Sequence, residues 1–95
     1  MREIERGMYA VSLAGHDKGK LYVIWKANER FAWLVDGKNR TQNCPKKKSF
    51  LHLQVDYARD EILAQKLDAG NVIYEEEIRG AIRRKVGGMK CQKQM

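Results

Sequence analysis

Cysteine is scarce in this chain. Cys44 and Cys91 are the only two in 95 residues, too few for a disulfide framework. A structural zinc site needs four ligands, usually in closely spaced pairs. Here the two cysteines and the two histidines, His16 and His52, lie far apart, with no CxxC or HxxxH spacing. No metal is expected, and the cysteines read as free thiols of a reducing cytoplasm. Long apolar runs are missing too. The longest, Leu21–Trp25 and Phe31–Val35, hold five residues each, where a membrane-spanning helix needs about 20. No apolar segment follows the charges of Met1–Arg6, so no secretory signal is expected. The length suits one compact domain with a thin core, which excludes a large buried active site.

Catalytic groupings are lacking as well. Ser12 and Ser49 have no nucleophile context, and Gly15–Gly19 has neither the spacing nor the Gly-Lys-Ser/Thr ending of a phosphate loop. Glu75, Glu76 and Glu77 are consecutive, so on a helix they point in different directions. Neither an enzyme nor a cofactor is expected.

What the chain does have is positive charge. Nineteen Lys and Arg oppose twelve Asp and Glu, for a formal charge of +7. The excess is segregated. Residues 1–54 carry a net +6, residues 55–78 a net −5, and residues 79–95 a net +6. Segregated charge makes a field that attracts a polyanion or an acidic partner. The sequence pI near 9.6 fits a nucleic-acid-binding domain.

Along the chain, Tyr9, Val11 and Leu13 alternate with smaller or more polar neighbours, the period of a half-buried strand. Gly15–Gly19 is a tight turn cluster. Strands follow at Lys20–Lys26 and Phe31–Asp36, rich in β-favouring residues. Asp36-Gly37 signals a hairpin, with Lys38–Gln42 returning as a short polar strand. Asn43–Lys48 reads as a loop, because Pro45 lacks a donor and restricts Cys44. Phe50, Leu51 and Leu53 form a last short strand. Five short strands predict a small, strongly bent antiparallel barrel. Its interior would hold Val11, Val23, Ile24, Phe31, Leu34 and Leu53 or their alternates, with the choice between Val23 and Ile24 left open by register.

The period changes after residue 55. A helix is expected over Arg59–Ala69, capped by Asp56 or Asp60 and ended by Gly70. A second is expected over Glu75 to about Lys85, with Ile78, Ala81, Ile82 and, at the margin, Val86 on one face and Gly87-Gly88 as its stop. The division is therefore a barrel over 1–54, a helical extension packed on it over 55–86, and a disordered basic tail over 87–95.

Tyr9–Val35 is a run of about 27 residues with Gly19 at its eleventh position, after a basic turn. The stretch Val11–Ile24 resembles the KOW motif. Trp33–Gly37, Arg40, Asn43–Lys48 and Leu51–Leu53 extend the likeness to the bacterial KOW-domain RNA-binding proteins. Those are similar in turn to the archaeal and eukaryotic large-subunit ribosomal proteins of the "fourteen-e" kind. The resemblance covers residues 7–54 well and 55–86 loosely. It implies an SH3-like barrel whose loops contact RNA, with ribosomal RNA of the large subunit and ribosomal proteins as partners, no membrane, and a monomeric, ribosome-associated role in translation. Carried onto this chain, it marks Gly15, Lys18, Gly19 and Lys20 on the motif's turn, and Arg40, Lys46, Lys47 and Lys48 after the hairpin.

Physical chemistry gives these residues work to do. Glycine lets a phosphate approach the backbone without a Cβ in the way, and the lysines supply charge. Lys46–Lys48 would clamp the backbone of A-form RNA, which is read through phosphates and shape. Trp25, Phe31 and Trp33, or Tyr22, would stack unpaired bases where they are not buried. Arg79, Arg83, Arg84 and Lys85 form a basic face, either complementing the helix dipole or making a second RNA contact. The rival class is an SH3-like protein–protein interaction module of the translation machinery without direct RNA contact. Nonspecific DNA binding is the third.

Overall fold

The computed structural model describes residues 3–94, with side chains over residues 3–87. Its strands are β1 (Met8–Ser12), β2 (Leu21–Ala27), β3 (Phe31–Val35), β4 (Lys46–Ser49) and β5 (Leu53–Arg59). A 3₁₀ turn, Phe50–His52, joins β4 to β5. Two helices follow, α1 (Glu61–Asp68) and α2 (Glu75–Gln94). All strand pairs are antiparallel, in the order β4-β3-β2-β1-β5. Consecutive strands form a meander, and β5 returns to lie against β1. This is the small SH3-like barrel expected, followed by C-terminal helices.

The apolar run of β2 is continuous because both faces of the sheet are covered. One face lines the barrel with Met8, Ala10, Tyr22, Ile24, Ala32, Leu34 and Leu53. The other packs Tyr9, Val23 and Val35 against Leu63, Ile73, Ile78 and Ala81 of the helical segment. Val23 and Ile24 are therefore both fully buried, on opposite faces. Val11 and Phe31, expected inside, are only part-buried. The Tyr9 hydroxyl donates to the Ala81 carbonyl at 2.8 Å and pins α2 to the sheet. At Trp25 the β2–β3 register shifts. The extra residue forms a bulge, a feature that sharpens twist and bends a strand.

Several boundaries differ from the sequence reading. Lys38–Gln42 forms no strand; one isolated bridge, Thr41 to Cys44, is all that pairs there. The Asp36 carboxylate instead accepts from the Lys38 and Arg40 amides at 2.9 and 2.8 Å and holds a wide loop. Lys46–Lys48 is no loop but most of strand β4, paired to β3 through Leu34↔Lys46, Trp33↔Lys47 and Ala32↔Lys48. An edge strand tolerates lysine because one flank stays in water. The last strand starts at Leu53, after the 3₁₀ turn, and reaches Arg59, past the expected barrel limit at residue 54. Asp60 caps α1, accepting from the Leu63 amide at 3.0 Å. Gly87 and Gly88 do not stop α2, whose backbone continues to Gln94. The disordered tail expected over 87–95 is thus helical backbone to Gln94, and its side chains from residue 88 on lie outside the described residues.

Candidate nucleic-acid interface

The β1–β2 turn is shaped by two glycines with positive φ, Gly15 at +86° and Gly19 at +88°. Between them the Asp17 side chain turns inward and is only 11% exposed. Its carboxylate accepts from the Ser12 hydroxyl at 2.8 Å and the Tyr22 hydroxyl at 2.9 Å. Lys46 and Lys48 donate to it at 2.8 and 2.9 Å. Strand alternation explains the pair: residues 46 and 48 share one side of β4, the side that faces the turn. β4 is a sheet edge remote from β1, so Asp17 ties the curled sheet across the barrel's end. Burial pushes the Asp17 carboxyl up, but the bonds from Lys46, Lys48, Ser12 and Tyr22 outweigh it and hold it far below the ordinary carboxylate range. Burial first, then the bond to Asp17, pushes the Tyr22 phenol upward.

A second carboxylate sits in the β3–β4 loop. Asp36 meets Lys20 at 2.7 Å. Burial opposes its ionisation, yet Lys20 and the Arg40 and Lys38 amides prevail and hold its pKa below the ordinary carboxylate value. Three cations, Lys20, Lys46 and Lys48, thus pair with the two carboxylates, while Lys38 and Arg40 reach Asp36 through their backbone amides and Lys18 lies in the Gly15–Gly19 turn beside Asp17. Lys18, Lys38 and Arg40 make no ion pair among the described residues. The site residues Gly15, Lys18, Gly19, Lys20 and Arg40 therefore do converge. Lys48 reaches the same turn, donating to the Ala14 carbonyl at 2.8 Å.

Lys47 points the other way, onto the outer face of the sheet. Its ammonium lies 4.3 Å from the Phe31 ring centre and 5.6 Å from that of Trp33. Lys26 covers Trp33 from the β2 side at 5.1 Å. Trp25 packs at the second core, with Arg6 over its ring at 5.2 Å. Tyr22 is buried inside the barrel and unavailable for stacking.

The basic stretch of α2 is largely occupied within the molecule. Arg79 donates to the Gly37 carbonyl. Arg84 holds Asp60 through two bonds, of 2.8 and 2.6 Å. Lys85 pairs with Asp56 and lies 5.3 Å from the Tyr9 ring centre. Arg83 is exposed and makes no ion pair among the described residues. Sequence reasoning missed both the Asp17 hub and Lys26. Two lysines spaced i, i+2 opposite a buried-turn aspartate would have been the signal.

No protein-family model matches the chain, and no curated protein does.

Proposed function

We propose that this is a non-enzymatic RNA-binding protein that grips the RNA backbone with the basic end of its barrel. The observation that carries this reading is the meeting of the Gly15–Gly19 turn, the loop after β3 and strand β4 at Asp17 and Asp36, where Lys20, Lys46 and Lys48 pair with the two carboxylates. Lys18, Lys38 and Arg40 offer charge to phosphates, while Asp17 and Asp36 hold the framework beneath them. The glycine turn leaves the backbone open: a Cβ at Gly19 would meet nothing within 4 Å. The resemblance of residues 7–54 to KOW proteins supports ribosomal RNA of the large subunit as the target, with ribosomal proteins nearby and a cytoplasmic location. No described helix is long and apolar enough to cross a membrane.

Sedimentation of cell lysate through sucrose, with this protein followed in each fraction, tests the reading. Comigration with the large subunit at low salt, abolished as salt rises, is the expected result, because phosphate contacts weaken steeply with salt. Absence from ribosomal fractions at low salt would remove the ribosome from the reading.

A protein-interaction module is the second reading, favoured by one observation. Leu51, in the 3₁₀ turn, is 87% exposed, and Leu13, whose amide bonds the neighbouring His52 carbonyl, is 45% exposed. A protein partner retained after ribonuclease treatment would support that reading over RNA binding.

A further inference from the structure

The outer face of the sheet is only partly covered. α2 lies over Val23 and Val35, but Phe31 and Trp33, farther along β3 on the same face, remain part-exposed. Across three strands one row reads Lys26, Trp33, Lys47, set by the pairs Lys26↔Trp33 and Trp33↔Lys47. Phe31 adjoins the row, two residues along β3 and opposite Ser49. The ring faces are covered by the ammonium groups of Lys26 and Lys47, which are themselves exposed. A lysine on a long flexible stem can leave a ring at small cost, since an exposed cation–π contact is weak.

We propose that Phe31 and Trp33 form a stacking platform for unpaired bases of a single-stranded RNA segment, with Lys26 and Lys47 as its backbone cations. The inference rests on the RNA-binding reading above and assigns it a second surface. A flat aromatic pair suits any base, because every base has a π-face. Cations on both flanks suit the chain of phosphates that accompanies a stacked strand. In the free protein each lysine occupies the place of a base. On binding it moves aside to a phosphate, so a planar base replaces the lysine over the ring and the charge gains a partner. The occupant is single-stranded: in a duplex the base faces are already stacked, and duplex RNA is met through phosphates and shape.

The test uses the full chain carrying Trp25→Phe, so that emission reports Trp33 alone, titrated with a short oligouridylate and with a blunt RNA duplex. Quenching of Trp33 by the oligouridylate and not by the duplex is expected. Trp33→Leu should weaken oligouridylate binding by roughly 5- to 150-fold, the range for one stacked base, with duplex binding unchanged. Lys47→Ala, an exposed edge-strand change that leaves both cores intact, should reduce the salt slope for the single strand by about 0.7. Oligouridylate binding with unaltered Trp33 emission and unaltered affinity in Trp33→Leu and Lys47→Ala would overturn the platform and leave RNA binding by the barrel's end standing. Failure to bind either RNA at low salt would overturn both.

Discussion

Replacing Asp17 with asparagine should cost this protein much of its stability. The carboxylate takes four hydrogen bonds, two of them from the ammonium groups of Lys46 and Lys48. The Lys48 side chain is 12% exposed and that of Lys46 is 28% exposed. Removing the charge leaves two cations near one another with no counter-ion, sharing one amide oxygen, and with the Ala14 carbonyl as a further neutral acceptor for Lys48. Breaking a buried pair by deleting one partner costs about 3–5 kcal/mol. The water reaching Lys46 moves the expected loss toward about 3 kcal/mol. For a domain of this size each kcal/mol lowers Tm by about 4–8 °C, so the midpoint should fall by more than about 10 °C. The acid limb should change as well. A carboxyl held below its ordinary value stabilises the fold above pH of about 4 and loses that contribution as the pH falls further. Asp17→Asn has no such contribution to lose, so its stability should fall less between about pH 4 and pH 2. Urea unfolding followed by tryptophan emission, repeated across that range, measures both effects. Converting Lys46 and Lys48 to Met in the Asp17→Asn background should recover part of the loss, since an apolar replacement of the whole set needs no counter-charge. A variant within about 1 kcal/mol of the parent, with the same acid limb, would refute the hub.

Reversing all of Lys46, Lys47 and Lys48 to Glu should unfold the barrel rather than only abolish RNA binding, because two new carboxylates would face Asp17; circular dichroism checks this, and Lys47→Glu alone should keep the fold. Gly37→Ala should destabilise far more than Gly19→Ala. Both glycines have positive φ, but a Cβ at Gly37 would lie 2.5 Å from the Glu75 carbonyl oxygen, and one at Gly19 would meet nothing; thermal unfolding separates the φ cost of about 1 kcal/mol from the clash. Tyr9→Phe should cost about 0.5–1.5 kcal/mol by removing the hydroxyl's bond to the Ala81 carbonyl. Burial, then Asp60 and Asp56, push the Tyr9 phenol up to about 12. A raised phenol stabilises the fold below about pH 10 and loses that contribution as the pH climbs toward its folded value. The parent should therefore weaken more steeply than Tyr9→Phe in alkaline urea titrations.

The first three strands were legible because Tyr9–Val35 alternates or runs apolar between glycine and polar turns. Strand β4 was not, because Lys46–Lys48 has neither β propensity nor an apolar period. Pairing with Phe31–Leu34 makes it a strand, and that is a tertiary fact. Asp36-Gly37 misled for a related reason. The pair reads as a two-residue hairpin, but the Asp36 carboxylate is engaged by the Lys38 and Arg40 amides and by Lys20, which stabilises a longer loop. The charge of the candidate site was visible as composition. Its division was not: Lys46 and Lys48 serve the fold through Asp17, while Lys47 lies against aromatic rings on the opposite face. That division depends on the bend of the sheet, which brings residue 17 to residues 46 and 48.

Cations at the barrel's end are proposed to hold RNA phosphates. Lys18, Lys38 and Arg40 should be reversed to Glu together, since none is paired within the described structure. Binding of a structured large-subunit ribosomal RNA fragment should then be followed by fluorescence anisotropy over a salt series. Weaker binding at every salt is expected, with a logarithmic salt slope smaller by about 2–3, because each phosphate that the protein neutralises supplies roughly 0.7–0.9 of that slope. Unchanged affinity and slope in a folded triple variant would contradict it.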